Sequence, residues 1–345
     1  TVCCLLMLLA VPLNAQREAK QIGDFKESIS LNEHLRGTKR TLQYRPDGDE
    51  FVCVNGKNRY TRALYGSHSP FRVETSDRPV FAFYNNGRGG NISFKVILRD
   101  GTELALDCTG HCESRYSAGK RTYYLTDPSW GKGELRISVL ALADMDGAIW
   151  RFSPSNMPKG AILRWQHGGA TGKRLSRNGD MGVDPADCFE LPAEATDLVT
   201  GELPLQKEVY LVRGEVPEGY NVRKLYQQAE AASLALASHL KIETPDPYLN
   251  TLGGALVAAA DGIWDGQVWL HGAIGWRMPL SGWRAGYTGD ALGWHDRART
   301  HFDAYAASQV TDVPNTIPHP AQDSTMNLAR SEKRWGTPQY SNGYI

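Results

Sequence analysis

The sequence has no excess of either charge: 38 Lys and Arg stand against 38 Asp and Glu. A formal net charge of zero supplies no field to draw a nucleic acid, so that partner class has no support. Beyond the first sixteen residues no stretch is long and apolar enough to cross a bilayer. Several chemical signatures are also missing. "HGGATGKR" lacks a phosphate loop's first glycine, replaced by His167, and its hydroxyl, replaced by Arg174. "YGSHS" is no nucleophile elbow, because Ser67 has no second glycine two residues on. "GRGG" at Gly87 reads as a loop, and neither His-Glu-x-x-His nor EF-hand spacing occurs. No metal or cofactor is expected.

What is present is an ordinary globular composition, 41% hydrophobic in 345 residues, enough for cores in two domains. With 35 Gly, 9 Trp and 15 Tyr, many turns and an aromatic-rich surface are expected. The opening "TVCCLLMLLAVPLNAQ" is an uncharged apolar run, too short to span a membrane and interrupted by Pro12. It reads as a partial secretory signal peptide over 1–15, ending at Ala15 and predicting export. Cys3 and Cys4 would leave with it, and Cys53, Cys108, Cys112 and Cys188 would remain. In "LDCTGHCES", export permits a Cys108–Cys112 disulfide; two free thiols are an equal reading, and zinc with His111 a distant third.

From about Thr41 to Gly214 the pattern is that of strands. Asn55-Gly56, Asp100-Gly101 and Asp146-Gly147 each sit between apolar runs and predict hairpin turns. Phe94, Val96 and Leu98 alternate before the second, with Leu104 and Leu106 after it; Leu135, Ile137, Val139 and Ala141 alternate before the third. Short strands with no intervening helix predict an antiparallel β-sandwich over 16–216. Gln166 to Pro204, weakly periodic, reads as long loops.

After Val216 the period becomes helical. Asn221 can cap a linker helix within 217–244, with Leu225, Ala229, Ala232, Leu236 and Leu240 as its apolar stripe. Asp246 and Pro247 open a second helix whose inward face is expected to hold Leu249, Leu252, Leu256 and Ile263. A third is expected from Asp290 as N-cap, with Leu292, Ala298, Phe302 and Tyr305 inward. Between them runs a long aromatic-rich connection. One helical hairpin cannot bury its own apolar faces, so 245–345 is expected to be the front of a larger helical array, incomplete in this chain.

Trp264, Trp269, Trp276 and Trp283 fall near helix ends or on that connection. An exposed tryptophan face suits the C–H face of a sugar ring, and Arg277 and Arg284 offer forks for its oxygens. Equally, the rings plug the joint between sandwich and helices, and the arginines pair with Asp261, Asp265 or Asp296. His271 and His295 read as structural. Glycoside hydrolysis needs two flanking carboxyl groups; Asp290 is the best-placed candidate, though capping would explain it, with Asp261 and Asp265 weaker.

Two stretches carry a family resemblance. "FVCVNGKNRYTRALYGSHSPFRVETSDRPVFAFY", Phe51 to Tyr84, resembles the opening domain of large exported Bacteroidetes proteins of the domain of unknown function 4450 family. "GWRMPLSGWRAGYTGDALGWHDRARTHF", Gly275 to Phe302, resembles the first hairpin of their helical domain. The family is associated with glycoside hydrolase family 142, β-L-arabinofuranosidases acting on plant polysaccharide side chains. The resemblance implies a sandwich, a linker helix and an (α/α)6 toroid, with the active site in the toroid cavity and a periplasmic or cell-surface location. It places Trp276, Arg277, Trp283, Arg284 and Tyr287 as substrate-binding residues lining that cavity, beside Asp290. The leading expectation is thus an exported glycoside hydrolase using carboxylate acid/base chemistry without a cofactor on a plant-wall glycan. A non-catalytic carbohydrate-binding or adhesion protein, or a polysaccharide lyase, are the alternatives.

Overall fold

In the computed structural model the described residues are 44–57, 60–69, 71–85, 88–174, 198–270 and 279–307. The chain divides into two units, Thr1–Gln43 and Tyr44–Ile345, and every described residue lies in the second. The leader expected over 1–15 and Cys188 lie outside the described residues.

Strict alternation does most of the folding work. Leu135, Ile137, Val139 and Ala141 all face one buried side, because successive side chains of a strand point to opposite faces. Seven strands form one antiparallel sheet: β1 (Arg45–Asp47), β2 (Glu50–Val54), β8 (His111–Ser117), β9 (Lys120–Thr126), β10 (Glu134–Ala141), β11 (Gly147–Ser155) and β14 (Val209–Gly214), in that order across it. The second sheet runs β13 (Val199–Pro204), β12 (Ile162–Arg174), β6 (Arg88–Ile97), β5 (Phe81–Asn85), β4 (Arg72–Ser76) and β3 (Tyr60–Tyr65), with β7 (Glu103–Ala105) as a further partner of β6. Both sheets contribute to one core. There the Phe81 ring meets Phe94, Tyr123 and Trp150 edge-on at 5.9, 5.8 and 5.5 Å between centroids, the offset geometry that aromatic quadrupoles favour.

Two of the three expected hairpins form: β6–β7 around Asp100-Gly101 and β10–β11 around Asp146-Gly147. The one at Asn55-Gly56 does not. β2 pairs with β1 and β8, and the chain leaves Asn55 for β3 in the other sheet. Asn55 has φ 50°, and its backbone N–H and side-chain Oδ1 bond Cys112 O and N at 2.8 and 2.9 Å. The left-handed residue therefore closes a strand rather than turning a hairpin. The loops expected over 166–204 are corrected at both ends, while 175–197 lies outside the described residues. β12 continues through glycines to Arg174, because β6 supplies its hydrogen bonds up to a register shift after Gly169, and 199–204 is β13.

The sandwich also buries charge. Arg121 is fully buried, and its guanidinium donates to Tyr44 Oη, to Ser114 Oγ at 3.1 Å and to Ser76 O at 3.3 Å. Tyr44 in turn donates to Asp77 Oδ1 at 2.6 Å. A buried cation survives only with this kind of partner set.

The first helix, α1 (Val222–Ala237), is capped as expected, with Asn221 Oδ1 accepting from Lys224 N at 3.0 Å. Its Leu225, Tyr226 and Ala229 cover Leu140, Leu142 and Ile149 on the opposite face of the first sheet. Leu240, expected on the stripe, falls after the helix ends. Asp246 caps α2 (Pro247–Gly262) by accepting from Tyr248 N at 2.8 Å. The expected inward row of α2 holds only in part: Leu252 and Ile263 pack inward and Thr251, Gly253, Val257 and Ala258 are buried, whereas Leu249 and Leu256 are 47% and 51% exposed. Small residues let the helix approach closely; at Gly254 a Cβ would stand 3.1 Å from Ala118 and 3.2 Å from Ala237.

Part of the long connection is itself helix, α3 (Pro279–Ala291), followed by α4 (His295–Ala307). Asp290 is thus no N-cap but sits in the last turn of α3. Gly293, with φ 80°, bonds back to Asp290 O, and Trp294 N to Gly289 O, both at 2.9 Å. This pair of bonds around a left-handed glycine is a Schellman ending, which stops α3 and lets α4 begin two residues later. Ala298 and Tyr305 are buried as expected, while Phe302 and Leu292 are half-buried.

Candidate functional site

The residues that could do chemistry gather where the loop after β3, the end of α2 and the start of α4 meet. Ser67 and Ser69 each donate to Asp146 Oδ1, at 2.6 and 2.5 Å, pinning that loop to the β10–β11 turn. His68, between them, turns to Asp261, its Nε2 3.2 Å from Oδ1. Arg297 of α4 donates to the same oxygen at 2.7 Å. Burial alone would raise the Asp261 pKa, but the hydrogen bonds from His68 and Arg297 outweigh it and hold the carboxyl below its ordinary value. A carboxylate kept ionised and doubly bonded is an anchor rather than a proton donor.

Aromatic rings complete this joint. Arg297 lies over Trp294 at 4.7 Å and over Trp264 at 5.8 Å from the ring centroids. Trp264 and Trp269 pack 4.7 Å apart, and Trp269 runs nearly parallel to Trp294 at 6.5 Å. Trp269, 1% exposed, donates from its indole to Ala260 O and from its backbone to Nδ1 of the fully buried His301, each at 3.0 Å. Trp264 and Trp269 are thus buried among the helical residues, with no exposed face for a sugar. Among the described residues the arginine that pairs with Asp261 is Arg297.

The remaining candidates fall on α3. Arg284, Tyr287 and Asp290 follow one another at spacings of three, neighbours along one side of a helix, and all are exposed, Tyr287 by 60%. The Tyr287 ring stands 6.1 Å from Phe302. Asp290 Oδ1 lies 2.6 Å from Nδ1 of His295, the first residue of α4. An exposed ring flanked by a guanidinium and a carboxylate offers a stacking face with a donor and an acceptor on either side. Trp283 occupies α3 one turn earlier; its side chain, together with Trp276, Arg277 and His271, lies outside the described residues.

Cys108 and Cys112 carry free thiols. Burial pushes the Cys112 thiol up to about 12, and burial with the neighbouring Asp107 raises Cys108 as well, so both stay protonated and unreactive. Among the described residues no group of His, Cys, Asp and Glu is placed to hold a metal ion, and no helix is long and apolar enough to cross a membrane.

Reading the sequence missed His68 and Arg297. "YGSHS" was weighed only as an elbow for Ser67, and Arg297 stands among charged residues of α4 that alone read as a solvated face. None of the curated proteins matches the chain. A family match falls on residues 86–214, between the two stretches that carried the resemblance, and names no activity. Over β6 to β14 the chain thus matches the family described as Domain of unknown function (DUF4450).

Proposed function

We propose that the chain is the sandwich and opening helical part of an exported glycoside hydrolase. Its substrate is a plant-type polysaccharide side chain, with β-L-arabinofuranosyl units as the leading sugar. The reading takes α2–α4 as the start of an (α/α)6 toroid whose cavity holds the catalytic carboxylates. The observation that carries it is the exposed Arg284–Tyr287–Asp290 row on α3: a large aromatic ring held in solvent beside groups that bond hydroxyls has a use in sugar binding and little in stability.

The test is titration of the chain with arabinofuranosyl-terminated oligosaccharides, followed by calorimetry, with release of reducing sugar measured on the full-length protein. Binding that weakens at least tenfold in Tyr287→Ala, with an unchanged melting temperature, supports the site. Wild-type affinity in both Tyr287→Ala and Arg284→Ala sinks it. A second reading, a non-catalytic carbohydrate-binding protein, draws on the pairing of Asp261 with Arg297 and of Asp290 with His295, which gives both carboxylates a structural partner. Binding without any release of sugar selects it, and unsaturated products absorbing in the ultraviolet would select a lyase.

A further inference from the structure

Beside the joint, the sandwich and the helices leave a space. β3, the β8–β9 turn, the end of β10, α1 and α2 line a half-open pocket of about 350 Å³. Its wall carries seven alanine methyls, among them Ala63, Ala118, Ala143, Ala229 and Ala258. Alanines at these positions hold the space open where leucines would fill it. The size is meaningful: small-molecule sites begin at roughly 300 Å³.

The polar groups on the wall are few and mostly occupied. Ser233 Oγ donates to Ala118 O at 2.7 Å, and Tyr116 Oη accepts from Gly119 N at 3.2 Å. Tyr65, whose hydroxyl makes no hydrogen bond among the described residues, and Asp261 are the exceptions. His68 and Arg297 both address Asp261 Oδ1, and its Oδ2 makes no hydrogen bond among the described residues. A sugar laid against the alanine wall would set its hydroxyls on methyl groups that cannot bond them, at about 1–3 kcal/mol for each one left unpaired. An anion would meet Asp261.

We propose that this pocket binds a small neutral alcohol: one apolar ring or short chain against the alanine wall, with a single hydroxyl donated to Asp261. The site is distinct from the α3 row and does not depend on the hydrolase reading.

The test uses the full chain with 13C-labelled alanine methyls, titrated with benzyl alcohol, toluene and glucose. Benzyl alcohol is expected to shift the Ala63, Ala143 and Ala229 methyls saturably, toluene to bind at least fivefold more weakly, and glucose to leave them unmoved. Ala143→Leu should cut benzyl alcohol affinity at least tenfold, and Asp261→Asn should bring it to the toluene level. If Ala143→Leu fails to fold, the toluene comparison and Asp261→Asn carry the test. No saturable shift with benzyl alcohol, equal affinity for toluene, or glucose acting on the same methyls overturns the proposal.

Discussion

Between the sheets, buried volume is filled by large side chains meeting large side chains: Phe81, Phe94, Trp150 and Phe152. Among the helices, large rings meet glycine. A Cβ at Gly289 would come within 2.1 Å of the Trp269 ring, and one at Gly262 within 2.2 Å of Tyr65. The two regions thus reach close packing by different routes. The sandwich interdigitates branched and aromatic residues from opposing faces; the helices bring backbone up to indole. The first route tolerates a change of shape better than a loss of volume, and the second tolerates loss better than gain.

Deletion in the sandwich should produce the largest effect. Trp150→Ala is expected to cost about 3–5 kcal/mol in urea unfolding, the range for removing a core aromatic. A cost under 1 kcal/mol, on the order of a surface change, would mean that the core relaxes around the gap and the contrast fails. Addition among the helices comes next. Gly289→Ala should destabilise by about 1–3 kcal/mol through overpacking, although alanine is the better helix former by about 1 kcal/mol. A rise in stability would show that Trp269 moves aside freely.

The helix caps follow: Asn221→Ala and Asp246→Ala should each cost about 1 kcal/mol, seen as lower helical signal on heating. Smaller still is an effect confined to acid. The folded-state pKa of Asp261 is depressed, so its contribution is complete above the ordinary carboxylate range and fades as pH falls through the depressed value. Asp261→Asn should flatten the acid limb of the stability–pH curve; an unchanged limb would show that the bonds to His68 and Arg297 do not form in solution. Least of all, Leu256→Ser should change stability by no more than about 0.5 kcal/mol, since Leu256 is 51% exposed. A larger cost would mean that another surface covers it.

The difference between the regions also governed what the sequence disclosed. Period-two alternation made Leu135–Ala141 and the turns at Asp100 and Asp146 legible, and cap chemistry located Asn221 and Asp246. Asn55-Gly56 misled because positive φ marks a chain reversal and a strand ending alike; only the identity of the hydrogen-bond partner separates them. Leu249 and Leu256 of α2 misled because periodicity weighs side-chain size, whereas close approach selects Gly253, Val257 and Ala258. α3 was hidden by Gly282, Gly286 and Gly289, poor helix formers in isolation, two of which give room to the rings of Phe302 and Trp269. Of the candidate site, the composition of the α3 row was visible, but the meeting of His68, Asp261 and Arg297 spans 193 and 36 positions of chain and has no local signal.

The two serine bonds on Asp146 have a mechanical meaning. Ser67 and Ser69 belong to the loop leaving one sheet, and Asp146 to a turn of the other, so at this end the sheets cannot shear past each other without breaking both bonds together. His68, held between those serines, reaches Asp261 and through it α4. A pull on the helices therefore loads the sandwich through this clasp of side chains as well as through the connecting backbone, and releasing Asp146 should let the two layers slip before either one unfolds.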